Sequence, residues 1–212
     1  MEILIFGDSI AYGAWDEEGG WVQRLKEFLD ATMRSDPIVD NLIYNLSFSG
    51  GTTEMLRVRV DSEIRHRLIE GEPMAVIFAI GINDSAFFTD RNKNWVSRKR
   101  FAENLRFLAA TAKRYAQNVI FVGLTPVDES KTAPISWVES MNYRNEYVEE
   151  YDAEIRRMCR KERIPFIDLQ GVFSGTDYKA MLEDGLHPNS QGHKKIFEIV
   201  KAYLVKKNAI TS

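Results

Sequence analysis

The 212-residue chain has one cysteine, three histidines, no excess of positive charge and no long apolar run. Its single cysteine, Cys159, cannot form a disulfide within the chain, which fits a reducing compartment. A membrane-spanning helix needs about 20 consecutive apolar residues, and no stretch approaches that length. The formal net charge of -3 does not give the basic surface typical of nucleic-acid binding. Neither a membrane span nor a nucleic-acid partner is therefore expected.

The apolar run at residues 3–6 is too short for the core of a secretory signal peptide and leads directly into a turn. This favours a soluble, cytoplasmic protein. Length and composition, 44% hydrophobic and 28% charged, are ordinary for a globular domain. Since no linker, repeat or low-complexity tract divides the sequence, we expect a single domain over residues 1–212.

Short apolar runs alternate with longer amphipathic segments, a pattern typical of βα units and a parallel sheet. The five predicted strands cover residues 2–6, 42–46, 74–80, 118–124 and 164–169. Because crossovers between parallel strands are right-handed, helices should cover both faces of the sheet. The pattern predicts a doubly wound α/β domain.

Apolar residues at helical spacing predict five helices between and after these strands. They are marked by the apolar residues of segments 21–29, 56–68, 101–115, 147–158 and 196–203, the last helix running from about Ser190 to Leu204. Two further segments, 85–97 and 128–138, are predicted to be long irregular loops. Loops of this length in an α/β domain are often functional.

Four residues that could take part in catalysis lie where strands end or where the last helix begins. Ser9, Gly50 and Asn83 follow the first, second and third predicted strands, and His187 precedes the last helix. In open parallel sheets, ligand sites form beyond the carboxyl ends of the strands. We therefore expect these four residues to meet at one edge of the sheet.

Together with Asp184, these residues have the chemistry for acyl transfer. Serine is a weak nucleophile until a base removes its proton, and neutral histidine can be that base. Asp184 can hold one imidazole nitrogen of His187 and leave the other for Ser9. The backbone N–H groups of Ser9 and Gly50 and the amide of Asn83 could stabilise the oxyanion that forms on attack.

The residues fall in four short motifs: GDSI at 7–10, NLSFSG at 45–50, GIND at 81–84 and DGLHP at 184–188. Their order and spacing resemble the SGNH, or GDSL, hydrolase family. Two positions differ from its commonest pattern, Ile10 in place of leucine and Gly51 in place of an acidic or polar residue. The resemblance covers nearly the whole chain.

The resemblance implies that Ser9 is the nucleophile, His187 the base and Asp184 its orienting partner, with Gly50 and Asn83 completing the oxyanion hole. It implies a three-layer α/β/α sandwich with a flavodoxin-like, five-stranded parallel sheet, and neither metal nor cofactor. It also implies a serine esterase or lipase that takes a small-molecule ester. The family's substrates include simple esters, thioesters, lysophospholipids and acetylated sugars, and we expect short to medium acyl chains.

Several aromatic residues lie in the segments near these strand ends, and together they suggest an apolar substrate pocket. The pocket candidates are Tyr12, Trp15, Phe87, Phe88 and Trp137. Each of them alone could equally be an ordinary packed side chain. Because aromatic rings also stack on sugars, the set does not separate lipid from carbohydrate substrates.

Other interpretations remain open. An acyltransferase would use the same residues with an alcohol or amine acceptor while excluding water, and a binding module could keep the fold without turnover. A metal-dependent phosphoesterase is disfavoured because the aspartates come without clustered histidines.

Asp168 is the alternative partner of His187. Asp8 and Asp84 are expected to tie their turns, His66 to be solvated, and His193 to be packed or on the surface.

Overall fold

The computed structural model describes residues 1–36 and 40–207. Within them, a five-stranded sheet and a separate three-stranded sheet are formed. In chain order the strands are β1 (Glu2–Gly7), β2 (Leu42–Asn45), β3 (Met74–Ala79), β4 (Phe87–Phe88), β5 (Lys93–Asn94), β6 (Asn118–Val122), β7 (Met141–Asn142) and β8 (Phe166–Ile167).

The α-helices lie between these strands and after the last of them. In chain order they are α1 (Ser9–Tyr12), α2 (Gly20–Ser35), α3 (Thr53–Arg57), α4 (Val60–Arg65), α5 (Ile82–Ser85), α6 (Arg98–Lys113), α7 (Glu129–Thr132), α8 (Asn145–Glu162), α9 (Gln170–Phe173) and α10 (Ser190–Lys206). A 3₁₀ turn spans Tyr178–Met181.

The large sheet has the strand order β2-β1-β3-β6-β8, and all of its strand pairs are parallel. This is the flavodoxin-like doubly wound order. Strands β1 and β3 are buried almost throughout, as expected when helices cover both faces. The pair α2 and α10 packs together, while α6 packs with α3, α4 and α8. The predicted α/β/α architecture is confirmed.

One predicted helix is two helices in the structure. The apolar spacing over residues 56–68 indicated a continuous helix, but α3 ends at Arg57 and α4 begins at Val60. Val58 in the intervening turn is 85% exposed. Arg59 reaches back to the end of β2, where its Nη2 donates to the Leu46 carbonyl over 2.5 Å. That tertiary contact accompanies the break, while Leu56, Val60 and Ile64 still reach the core.

The two segments expected to be irregular loops contain short pieces of regular structure, so that expectation was wrong in part. Strands β4 and β5 lie within 85–97, and α7 lies within 128–138. Strand β4 pairs antiparallel with both β5 and β7, which joins the two segments into the small sheet. Each strand has only two residues, too few for an alternating pattern to be visible in the sequence.

No helix of the described residues is both long and apolar enough to cross a membrane.

Candidate active site

Ser9 is placed by the turn between β1 and α1. Asp8 caps α1, because its Oδ1 accepts a hydrogen bond from the backbone N–H of Ile10 at 3.0 Å. Ser9 is the first residue of that helix, and a backbone N–H in the first turn has no partner within its own helix. Burial raises the pKa of Asp8 to about 7. The cap therefore presents both the hydroxyl and the backbone N–H of Ser9 at the end of β1.

The structure brings Ser9, His187 and Asp184 together from the two ends of the chain. His187 Nε2 lies 2.9 Å from Ser9 Oγ, and His187 Nδ1 lies 2.7 Å from Asp184 Oδ2. Ser9 and His187 are buried, at 3% and 6% exposure. Asp168, the alternative partner, pairs instead with Arg156 at 2.8 Å.

Asp184 is held by hydrogen bonds to both of its oxygens. Its Oδ1 accepts from the backbone N–H groups of Leu186 at 3.0 Å and His187 at 2.8 Å. Burial on its own would raise the pKa of this carboxyl, but the side-chain and backbone hydrogen bonds of His187 outweigh burial and lower it to about 2. Asp184 is thus an ionised acceptor at neutral pH, which favours a proton on the facing His187 Nδ1.

Trp15 contacts the same carboxylate from the amino-terminal part of the chain. Its indole Nε1 lies 3.1 Å from Asp184 Oδ2 and 3.0 Å from His187 Nδ1. With a proton on Nδ1, the acceptor of the indole N–H is the carboxylate, because two donors cannot share a hydrogen bond. The indole meets the imidazole edge-on, with ring centroids 5.8 Å apart.

The segment that carries Trp15 is fixed on both sides. Trp15 has a φ of 67°, a left-handed conformation uncommon outside glycine. Asp16, the next residue, forms a buried ion pair with Arg24 of α2. Arg24 also donates to Ser190 Oγ over 2.8 Å, which ties α2 to the start of α10. His193 is fully buried beside this segment, close enough for its Nε2 to bond the Ala14 carbonyl at 3.4 Å.

Gly50 and Asn83 lie on adjacent loops after β2 and β3. Asn83 Nδ2 donates to the Gly51 carbonyl over 2.9 Å, and its Oδ1 accepts from the hydroxyl of Tyr143 at 2.8 Å. One hydrogen of the Asn83 amide is left for another acceptor. In the described part of the chain, the backbone N–H groups of Ser9 and Gly50 donate to no other group. Gly50 has a φ of +73°, and a Cβ there would meet no atom within 4 Å.

Asp84 ties these two loops together. Its carboxylate accepts from the Thr53 backbone N–H at 3.0 and 3.1 Å and also from the Thr53 hydroxyl. Asp84 is fully buried, and burial raises its pKa to about 7 against the opposing hydrogen bonds of Thr53. The aspartate after Asn83 therefore anchors the loop that carries Gly50.

Two of the five pocket candidates flank the imidazole. Trp137 is 53% exposed and stacks on the ring of His187, with centroids 6.3 Å apart and planes 28° apart. Trp15, at 65% exposure, lies against the same ring.

The other three aromatic candidates make contacts elsewhere. Phe87 stacks on Tyr147 at 5.2 Å. Phe88 packs edge-on against Trp95 at 5.7 Å. Tyr12 is 59% exposed and lines a separate surface cleft with Lys26 and Asn45, among others. Their expected contribution to a substrate pocket therefore remains a prediction.

The remaining titratable candidates lie outside the group around Ser9. His66 is exposed on the surface. Burial lowers the pKa of His193 to about 4, so its imidazole is neutral at pH 7. Among residues 1–36 and 40–207, no three His, Cys, Asp or Glu side chains are grouped so as to hold a metal ion.

Tyr143 is a member of this site that sequence reasoning missed. It is 2% exposed and reaches Asn83 from the residue before the N-cap of α8. No motif marks it, and the contact depends on the small sheet that positions residues 141–143.

Comparison with known proteins identifies related sequences over almost the whole chain. The model of the GDSL-like lipase/acylhydrolase family matches residues 5–195. The proteins named isoamyl acetate-hydrolyzing esterase 1 homolog from Bos taurus and Homo sapiens are each 26% identical over 216 residues. The match covers 97% of this chain and 82% of each relative.

Solved structures share the fold. A lipase/acylhydrolase from Enterococcus faecalis superposes with a TM-score of 0.74 at 20% identity, covering 99% of this chain and 97% of that one. An acetyl xylan esterase variant from Geobacillus stearothermophilus superposes with a TM-score of 0.71 at 19% identity, covering 96% and 94%. At these identities the likeness establishes the architecture alone.

Proposed function

Because the chain belongs to the GDSL-like lipase/acylhydrolase family, we propose that it is a serine esterase that hydrolyses carboxylic esters through an acyl-enzyme. The observation that carries this proposal is the distance of 2.9 Å between Ser9 Oγ and His187 Nε2. A serine hydroxyl within hydrogen-bond reach of an imidazole, itself held by a carboxylate, is the arrangement of an activated nucleophile.

In the first half of the reaction, Ser9 Oγ attacks the ester carbonyl while His187 Nε2 takes the hydroxyl proton. The tetrahedral intermediate collapses when His187 returns that proton to the leaving alcohol, and the acyl group stays on Ser9. Asp184 keeps Nδ1 protonated and stabilises the imidazolium that forms between these steps. In the second half a water molecule repeats the path and releases the acid.

The oxyanion of each intermediate needs donors that are already in place. The N–H of Ser9, the N–H of Gly50 and the second amide hydrogen of Asn83 are the proposed donors. Each is free of another acceptor within the described structure. Because these groups are held before the substrate arrives, they stabilise the developing charge without a reorganisation cost.

A small acyl group is the favoured substrate feature within this proposal. Two of the similar proteins are named for acetate esters, isoamyl acetate in one case and acetylated xylan in the other. The exposed rings of Trp15 and Trp137 beside His187 offer apolar surface near the base that protonates the leaving group. We therefore propose short acyl esters of apolar alcohols ahead of long-chain lipids.

The test is a panel of p-nitrophenyl and alkyl esters of increasing acyl length, measured with wild type, Ser9→Ala and Ser62→Ala. Ser62 is an exposed serine of α4 and serves as the matched control. We expect turnover highest for acetate to butyrate, lost in Ser9→Ala and retained in Ser62→Ala. A fluorophosphonate should label wild type once, at Ser9.

Two outcomes would contradict the proposal. Folded wild type that neither turns over any ester nor reacts with the fluorophosphonate would favour a binding module. Turnover that appears only when an alcohol or amine acceptor is added would favour an acyltransferase with the same residues.

A further inference from the structure

Tyr143 and Asn83 form a buried hydrogen bond across the site. The phenol oxygen lies 2.8 Å from Asn83 Oδ1, and the two residues are 2% and 3% exposed. At this burial water is a poor substitute partner, so loss of the hydroxyl would leave the amide oxygen unpaired. The contact joins the segment before α8 to the loop after β3.

Together, Tyr143 and Gly51 determine how the Asn83 amide is oriented. The Gly51 carbonyl can only accept, so it requires Nδ2 on its side at 2.9 Å, and Oδ1 is then turned to the Tyr143 hydroxyl. The second hydrogen of Nδ2 is left for the substrate oxyanion. Donation into Oδ1 also polarises the amide, because hydrogen bonds in series strengthen one another.

Tyr143 is itself fixed by its backbone. Its N–H donates to the Thr132 carbonyl over 2.9 Å, and the Thr132 hydroxyl donates to the Tyr143 carbonyl over 2.8 Å. Burial raises the pKa of the phenol, and the nearby carboxylates of Asp8, Asp184 and Asp84 raise it further. The hydroxyl therefore keeps its proton across the working pH range and stays a donor.

We propose that Tyr143 is a positioning residue of the esterase reaction, which holds and polarises the Asn83 amide toward the oxyanion. This inference rests on the proposed function. The role predicts an effect on the chemical step and little effect on ground-state binding, since Tyr143 acts through Asn83 without touching the substrate.

The first test is Tyr143→Phe, which keeps the ring and removes the hydroxyl. We expect kcat on the preferred ester to fall about tenfold, as for one lost hydrogen bond to a neutral partner, with KM changed less than about twofold. Tyr151→Phe is the matched control, because Tyr151 is fully buried and its hydroxyl donates to the Val96 carbonyl. That variant should keep a wild-type kcat.

A double-mutant cycle with Asn83→Ala separates positioning from general destabilisation. Asn83→Ala alone should lower kcat roughly 100- to 1,000-fold, and adding Tyr143→Phe should lower it no further. The double variant lacks the Asn83 amide oxygen, so it has no unpaired buried acceptor of the kind that Tyr143→Phe alone would leave. The comparison of Asn83→Ala with the double variant therefore holds even if Tyr143→Phe alone unfolds. Equal kcat for Asn83→Ala and the double variant supports the role.

Three results overturn the inference. A further tenfold loss in the double variant would mean that Tyr143 acts independently of Asn83. A wild-type kcat in Tyr143→Phe, with Ser9→Ala inactive, would overturn the positioning role alone. Wild type without any Ser9-dependent turnover would overturn the proposed function and this inference together.

Discussion

The indole nitrogen of Trp15 lies 3.1 Å from Asp184 Oδ2 and joins the segment after α1 to the turn that carries His187. Asp184 thereby accepts four hydrogen bonds, two on each oxygen. Three of the donors come from the 184–187 turn itself, and the indole is the only one from the other end of the chain. Trp15 thus links the half of the site that holds Ser9 to the half that holds His187, the proposed base.

Trp15→Phe should change the pH dependence of turnover without removing the ring beside His187. Loss of the indole N–H leaves the Asp184 carboxylate less neutralised, so the carboxylate stabilises the imidazolium form of His187 more strongly. We expect the acidic limb of the kcat/KM profile to move to higher pH. Other ionisable groups near His187 are Asp8 and His193, and this change leaves both in place. The measurement is a pH–rate profile from pH 4.5 to 9.

Trp137→Phe is the matched control for this prediction. Trp137 also lies against the ring of His187 and is similarly exposed, yet its indole makes no hydrogen bond to Asp184. Its replacement should leave the acidic limb in place while changing KM. Equal displacement of the limb in both variants would contradict a specific role for the Trp15 N–H.

Gly50→Ala should lower kcat strongly while lowering the free energy of unfolding only slightly. At a φ of +73° an alanine is strained by about 1 kcal/mol, and relief of that strain moves the N–H proposed for the oxyanion. Displacements of about 1 Å in a catalytic group can cost roughly 100-fold, so we expect kcat to fall 10- to 100-fold. Ester turnover and urea unfolding are measured on the same samples.

Gly71→Ala provides the comparison for Gly50→Ala. Gly71 has a φ of +83° and, like Gly50, no atom within 4 Å of the added Cβ, but it lies in the turn before β3. The two variants should lose similar free energies of unfolding while Gly71→Ala keeps its turnover. If Gly50→Ala also kept wild-type kcat, its N–H would not contribute to catalysis.

Most of the fold could be predicted from the sequence, because the local pattern of apolar residues matches the burial of the strands in the structure. The apolar runs at β1, β3 and β6 are continuous, as expected for strands covered on both faces, and each was predicted to within about two residues. The expected proximity of Ser9, Gly50, Asn83 and His187 followed from their positions at strand ends, and no single local signal would have placed them together.

What sequence reasoning missed depends on tertiary contacts that leave no local pattern. Tyr143 reaches Asn83 because β7 pairs with β4, and two-residue strands have no readable periodicity. Trp15 was predicted only as a pocket residue, since the hydrogen-bonding capacity of an indole does not reveal its acceptor. The break after α3 likewise accompanies the contact of Arg59 with Leu46, which lies 13 residues away along the chain.

Asp184→Asn should nearly abolish turnover while the fold is retained. An asparagine can present its NH₂ group to His187 Nδ1, which favours the tautomer with the proton on Nε2, and that nitrogen then cannot accept from Ser9. In a serine enzyme with the same arrangement of groups, the equivalent change lowers kcat about 10⁴-fold. Asp168→Asn is the control, because Asp168 pairs with Arg156 and should be dispensable. Residual activity within tenfold of wild type in Asp184→Asn would assign the orienting role elsewhere.

The buried carboxyl of Asp84 should make the protein less stable as pH rises from 4 to 7. Its pKa in the folded state is about 7, against an ordinary value of 3.8, so the native state binds more protons than the unfolded state between these values. The stabilisation from this group is complete below pH 4 and lost above pH 7, with a slope of at most about 1.4 kcal/mol per pH unit.

Asp84→Asn removes this titration while keeping an oxygen that can accept from the Thr53 backbone N–H. The free energy of unfolding in urea, measured between pH 4.5 and 7.5, should therefore decline less steeply in Asp84→Asn than in wild type. Asp8 is also buried with a raised pKa, so part of the decline should persist. Asp90→Asn, at an exposed position, should follow the wild-type slope. Parallel slopes for wild type and Asp84→Asn would show that Asp84 is ionised in the folded protein throughout this range.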